Sequence, residues 1–314
     1  MAVKPDGDNI PPHLPVLYHE SLKYLQLQSG EKFVDGTLGA GGHALGILRQ
    51  SDPETKLLGF DLDIDAINIA KKRLEPFISR VFIKHQSYTA IQNAMHEIGW
   101  NCVDGIILDL GLSSMQLDTA DRGFSFSKPA PLDMRFNQEQ GPSAADLLNT
   151  RKEKEIADII WRFGEEPKSR KIAKEIITNR PITTTTQLAQ IVNEVYGNRS
   201  SKMHPATRTF QAIRIAVNNE LEVIEQGLYN ALASLCPGGR LLVISFHSLE
   251  DRIVKQIFRR ESKDCVCPPE QIICNCGHTA SIKIITKKPV QASQEEVSNN
   301  PRARSAKMRV AEKL

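Results

Sequence analysis

Through residue 110, short apolar runs alternate with segments whose apolar residues recur at helical spacing. Phe33-Val34, Lys56 to Asp61, Arg80 to Lys84 and Val103 to Leu110 predict strands, the last apolar enough to be buried on both faces. Glu20 to Leu27, His43 to Gln50 and a segment from Ser87-Tyr88 to Ile98 predict helices. So does a stretch capped by Asp63 and running through Leu74, where Ile64, Ile67 and Leu74 form the apolar stripe and Pro76 ends it. Strands alternating with helices at this spacing pack as a parallel, doubly wound sheet.

The alternation then stops. Gly111 to Gln140 is rich in Gly, Ser, Pro and Asp, and beyond it Ser143 to Leu148, Lys152 to Phe163, Pro167 to Asn179 and Thr186 to Tyr196 each predict a helix. A long helical stretch from Thr207 to Leu235 ends at Pro237-Gly238-Gly239. Arg240 to Phe246 then predicts a strand, Ser248 to Arg260 a helix, and Ile282 to Thr286 with Lys307 to Val310 a terminal antiparallel pair. Gln291 to Ser305, polar throughout, predicts a loop. The expected organisation is a discontinuous α/β core, residues 1–112 and 213–314, interrupted by an all-helical insertion, residues 113–212.

Composition narrows the class. The 314 residues are 40% hydrophobic and 25% charged, with no uncharged apolar run of bilayer length. Met1 to Pro12 lacks a signal-peptide core, so a disordered leader and a cytoplasmic protein with no membrane partner are expected. A net charge of +3 permits a nucleic-acid partner without requiring one. Arg162, Lys168, Arg170, Lys171 and Lys174 concentrate positive charge in the insertion, either as a solvated helix face or as a phosphate-contacting surface.

Candidate chemistry lies where strands end. From Gly36 to Gly42 there are four glycines in seven residues, and Gly39-x-Gly41-x-x-Ala44 has the spacing of a nucleotide-binding turn that opens a helix. In a doubly wound sheet ligands lie outside the carboxyl ends of the strands. That edge collects the glycine turn, Asp61, Ser87-Tyr88, and Asp109 to Gln116. A dinucleotide enzyme is the obvious rival, yet it leaves the polar insertion after Asp109 without a role. S-adenosylmethionine accounts for more: a carboxylate for the ribose, an aromatic for the adenine, and the glycine turn for the methionine end.

Five motifs carry a specific resemblance: Asp35-Gly36-Thr37-x-Gly39-x-Gly41-Gly42-His43, Asp109-Leu110-Gly111-x-Ser113-Ser114-x-Gln116, Pro131-Leu132-Asp133-Met134-Arg135, Ile244 to Arg252 and Asn300 to Ser305. With them the chain, from His13 almost to its end, resembles the ribosomal RNA small-subunit methyltransferase H (MraW) family. The resemblance implies a class I S-adenosylmethionine-dependent methyltransferase fold, Rossmann-like and doubly wound. It also implies methylation of the exocyclic N4 of a cytidine in the decoding (P-site) region of 16S ribosomal RNA, with naked RNA or the small subunit as partner. Implied cofactor contacts are Gly41, Gly42, His43, Asp61, Tyr88, Asp109 and Gln116. Tyr88 replaces the phenylalanine of relatives, and Leu110-Gly111-Leu112 replaces the Pro-Pro-aromatic of other amino-methyltransferases.

Catalysis is expected from Asp109, as acceptor for the cytosine amino group, with His247 the weaker candidate for orienting the base or taking the proton. Arg135, Arg208, Arg214, Asn218 and Arg252 are expected to contact RNA or to make structural pairs. The alternative function is a non-catalytic RNA-binding ribosome-assembly factor that keeps the pocket. Six cysteines, four of them late, do not make a secreted disulfide framework. Cys265, Cys267, Cys274 and Cys276, followed by His278, supply enough soft ligands for structural zinc, but Cys-x-Cys is not the common spacing. Reduced thiols in a surface loop are the leading reading, and no metal is expected.

Overall fold

The computed structural model describes residues 14–197, 204–271 and 273–314, so the expected leader and His13 lie outside the described residues. The chain divides into two compact units. One contains the residues through Asp61, Asp65–Leu110 and Gly227–Leu314; the other contains Leu62–Ile64 and Gly111–Gln226.

The first unit is a doubly wound sheet flanked by helices, as expected. Its strands are β1 (Lys32–Asp35), β2 (Lys56–Asp61), β3 (Val81–His85), β4 (Val103–Asp109), β5 (Leu235–Ser245), β6 (Ile282–Ile284) and β7 (Lys307–Lys313). They lie in the order β3-β2-β1-β4-β5-β7-β6. β1 to β5 pair in parallel, while β7 runs antiparallel to both β5 and β6. Helices α1 (Tyr18–Leu25), α2 (Gly42–Gln50), α3 (Ile64–Arg73), α4 (Ile91–Glu97) and, after β5, α12 (Ser248–Glu261) occur in this part of the chain. The strand interiors are apolar because parallel strands are covered on both faces; Phe33, Leu57, Leu58, Ile106, Ile107, Leu242 and Ile244 are all buried. Cys102, just before β4, is joined to Cys236 of β5 by a disulfide.

The second unit is helical, with α5 (Ser114–Asp118), α6 (Ala144–Thr150), α7 (Glu153–Gly164), α8 (Ser169–Thr178), α9 (Thr185–Tyr196) and α10 (Ala206–Asn218). It has its own core, in which Leu148, Ile156, Ile160, Ile172, Ile176, Leu188, Val192 and Ile213 are buried together. Ser143 and Thr184 start α6 and α9 with capping boxes, as their spacing to Asp146 and Gln187 requires.

Three features depart from the sequence reading. The helical unit extends to Gln226, past the expected 212, because α10 packs on α7 inside that unit and α11 (Glu220–Ser234) begins there. The single helix expected from Thr207 to Leu235 is two, broken at Asn219, which takes the left-handed conformation (φ 50). Asn tolerates that region better than most residues. Finally, the loop expected from Gln291 to Ser305 contains α13 (Gln294–Asn299), where the Ser293 side chain accepts from Glu296 N–H, and then a 3₁₀ turn over Pro301–Ser305 capped by Asn300. Its polar composition masked two N-caps. Among the described residues no helix is long and apolar enough to cross a membrane.

Gly164 lets α7 lie close against α10: a Cβ there would meet Arg208 O at 2.6 Å and Ala212 Cβ at 3.2 Å. A helical Gly→Ala change ordinarily stabilises by about 1 kcal/mol. Here Gly164→Ala is expected to destabilise by at least about 1 kcal/mol through overpacking, read as a lower denaturation midpoint by helical circular dichroism. A stabilised variant would refute this packing.

Candidate active site

Within the first unit, the acids at the ends of β1, β2 and β4 are tied to one another through the glycine turn. Asp35 closes β1, in register with Gly59 of β2 and Ile107 of β4. Gly36 N–H donates to Ile107 O at 2.9 Å, and a Cβ on Gly36 would come within 2.3 Å of the Leu108 side chain. A side chain at this position would have to displace Leu108 and press on Tyr88 Cβ at 3.0 Å. Leu38 N–H then donates to Phe60 O, and Gly39 N–H donates to Asp61 Oδ2 at 2.6 Å. Gly39 and Gly41 both have positive φ, which spares the turn the penalty an L side chain would bring. Gly42 opens α2 against Pro15, whose Cγ would lie 2.5 Å from an added Cβ.

Thr37 links the turn to β4. Its backbone N–H donates to Asp35 Oδ1 at 3.2 Å, and its Oγ1 accepts from Asp109 N–H at 2.6 Å. Neither Asp35 nor Thr37 is among the expected cofactor residues, although both stand in the Asp-Gly-Thr motif that opens the turn. His43 is buried in the first turn of α2, its Nε2 3.7 Å from Asp109 Oδ2 and its ring stacked beside Tyr18 at 6.3 Å. Both ring nitrogens of His43, Asp35 Oδ2 and Asp109 Oδ1 are buried without a hydrogen-bond partner in the protein. Such atoms are rare in folded proteins, and four of those among the described residues belong to these three neighbouring side chains. Burial, the largest influence, pushes the Asp35 carboxyl up to about 6; the charges of Asp109 and Asp61 add to the rise, while His43 and the Thr37 amide oppose it.

The other expected residues fall into two groups. Tyr88, in a 3₁₀ turn after β3, lays its ring over Gly227 of α11, where a Cβ would be 2.0 Å from Cε2. Asn230, one turn on, donates to Thr89 O at 2.7 Å, so α11 positions this segment. His247 follows β5 as the N-cap of α12: its Nδ1 accepts from Glu250 N–H, and its Nε2 is 3.0 Å from Glu250 Oε1. Gln116 belongs to the second unit. Its Oε1 accepts from Ser113 N–H in the capping box of α5, and its Nε2 donates to buried Asp63, which also holds Arg122 at 2.5 Å. Arg122 carried no sequence signal; its burial in an ion pair is a tertiary fact.

Arginines in the matched motifs are largely structural. Arg135 grips Asp133 through two nitrogens, Arg214 grips Glu220 likewise, Arg208 reaches Glu165 O, and Asn218 spans Phe136 N–H and Met134 O. Asp251, next to Arg252, directs its carboxylate to Arg309 at 2.7 Å. Of the basic cluster, Lys168 bonds Val195 O and lies 4.0 Å from the Tyr196 ring centroid, whereas Arg162, Arg170, Lys171 and Lys174 are exposed.

A carboxylate-rich edge beside a backbone turn suits a ligand that is cationic at one end and carries hydroxyls at the other. The donor set therefore fits S-adenosylmethionine, whose sulfonium and ammonium would meet negative charge.

The sequence profile of the MraW methylase family matches residues 11–314. The ribosomal RNA small subunit methyltransferase H of Dehalococcoides mccartyi is 50% identical over 303 residues, covering 96% of this chain and 87% of that one. The protein of the same name from Geobacter sp. (strain M21) is 50% identical over 307 residues, covering 96% and 98%. That from Thermomicrobium roseum is 46% identical over 305 residues, covering 96% and 94%.

Because Asp35 holds its proton more tightly in the fold than in the unfolded chain, this group loses stability as pH rises from about 4 to about 6. Asp35→Asn keeps an acceptor for Thr37 N–H and removes the titration. Relative to the parent, the variant is expected to gain up to about 3 kcal/mol between pH 4 and 7 in urea denaturation. A difference independent of pH would show that Asp35 is not desolvated.

Proposed function

Because the chain belongs to the MraW methylase family, we propose that it methylates the exocyclic N4 of a cytidine in the decoding region of 16S ribosomal RNA, using S-adenosylmethionine. The observation that carries the reading is the joined edge of Asp35, Asp61 and Asp109 around the glycine turn. S-adenosylmethionine supplies an electrophilic methyl group on a positively charged sulfur. Gly39 to His43 and Asp35 are the residues for its methionine end, Asp61 for its ribose and Tyr88 for its adenine.

The substrate nitrogen needs help, because its lone pair is delocalised into the ring and it must become tetrahedral as it attacks. Asp109 is the acceptor for its N–H: it ends β4 with Oδ1 unpartnered, while its own backbone is fixed by Thr37. A hydrogen bond to that carboxylate strengthens as positive charge builds on the nitrogen, and the proton leaves along it. His247 has both nitrogens directed to Glu250, which favours a role in holding the start of α12 over proton transfer. The exposed Arg162, Arg170, Lys171 and Lys174 suit phosphate contacts, whose sequence-independent attraction weakens steeply with salt.

The test offers labelled S-adenosylmethionine with small ribosomal subunits from a strain lacking the enzyme, followed by nucleoside mass spectrometry. N4-methylated cytidine is expected. Cofactor binding without transfer to any cytidine would favour an assembly factor that keeps the pocket. Asp109→Asn should lower turnover by about 10²-fold or more while changing cofactor affinity far less. Asp61→Ala should mainly weaken the cofactor, by about tenfold or more, through loss of a charged hydrogen-bonding group. Normal turnover in Asp109→Asn would remove Asp109 from catalysis.

A further inference from the structure

Among its described residues the connection from Ser262 to Ser281, between α12 and β6, holds no helix or strand, and loops beyond about 12 to 15 residues are uncommon unless something organises them. It has little core to do so: Cys265, Cys274 and Cys276 are exposed, and Ile273 keeps 79% of its surface in solvent. What the chain does bring together is sulfur. The four Sγ atoms of Cys265, Cys267, Cys274 and Cys276 all lie within 4.8 Å of one another. Cys267 to Cys274 is 4.0 Å, Cys274 to Cys276 3.5 Å and Cys276 to Cys265 3.9 Å.

Those lengths have a chemical meaning. With a zinc–sulfur bond of about 2.3 Å, the edge of a tetrahedron of thiolates is about 3.8 Å. A disulfide needs about 2.05 Å. Cys-x-Cys spacing looks unpromising in one segment alone, but two such pairs from separate parts of the loop face each other and complete the set. Cys267 N–H points at Cys265 Sγ at 3.4 Å, a backbone donor placed against a ligand sulfur. His278, the competing ligand in the sequence, is engaged elsewhere, its Nε2 3.1 Å from Arg260 O.

We propose that Cys265, Cys267, Cys274 and Cys276 form a tetrathiolate site for one zinc ion that orders the connection between α12 and β6. Four protein ligands leave no open position, so the ion is structural and not catalytic. Its place agrees: β6 is antiparallel to β7, which is antiparallel to β5, so the loop enters β6 at the sheet edge opposite the one carrying Asp35 and Asp109. Binding displaces protons from the thiols, and its free energy becomes local folding free energy.

The test uses untagged full-length protein purified under reducing conditions without chelator. Elemental analysis should find about one zinc per chain, and the Cys274→Ser/Cys276→Ser double variant should hold less than about a tenth of that. Should the variant not fold, the parent decides: cobalt(II) replacing the ion should show thiolate-to-metal charge transfer with the intense visible bands of a tetrahedral site. Bound zinc should also slow thiol modification of four cysteines at least tenfold. Less than a tenth of an equivalent of metal after reconstitution with zinc would overturn the proposal. So would intact-mass loss of four hydrogens from these cysteines, which would mean two disulfides, or an iron–sulfur chromophore in anaerobically prepared protein.

Discussion

A carboxylate is stable inside a protein only when hydrogen bonds or opposite charge replace the water it has lost, and Asp35 is incompletely compensated on both counts. One oxygen takes the Thr37 amide; the other has no partner in the protein, and the nearest helpful charge is that of a buried histidine. This tension organises the first unit. Thr37 stands between Asp35 and the end of β4, and Asp61 at the end of β2 holds the Gly39 amide. The turn is thus kept open by acids of adjacent strands, at positions where glycine alone lets the backbone through.

The same arrangement connects fold to chemistry. A pocket for a sulfonium needs negative charge already in place, because reorganising dipoles during methyl transfer would raise the barrier. In the proposed site, three acids at the ends of parallel strands would supply that charge from rigid elements. Asp109 is proposed for a second use, since its amide is committed to Thr37 while its carboxylate Oδ1 has no partner in the protein. The two units solve their stability problems separately. The helical unit has its own apolar core and binds its arginines in pairs with Asp63, Asp133 and Glu220. The connection into β6 lacks a core and instead gathers four thiols.

Much was legible along the chain because it depended on short-range pattern. The strands and most helices follow from apolar period, and the glycine turn, Asp61 and Asp109 from their place just after buried runs. Where the reading failed, opposing local signals hid the outcome: Asn219 broke a continuous helical pattern by one left-handed residue, and the caps at Ser293 and Asn300 lay in a segment too polar to suggest a helix.

The sequence by itself determined the doubly wound architecture, the family and the identity of the acids at the strand ends, since each rests on periodicity or on motifs contiguous in the chain. Only the tertiary structure decided what those residues do with their atoms. It made Asp61 the support of Gly39, turned His247 and Gln116 toward helix caps, raised Thr37 to the link between two strands, and brought Cys265 and Cys267 to Cys274 and Cys276. Those outcomes depend on distances between residues far apart in sequence, and local pattern carries no information about them until the chain has packed.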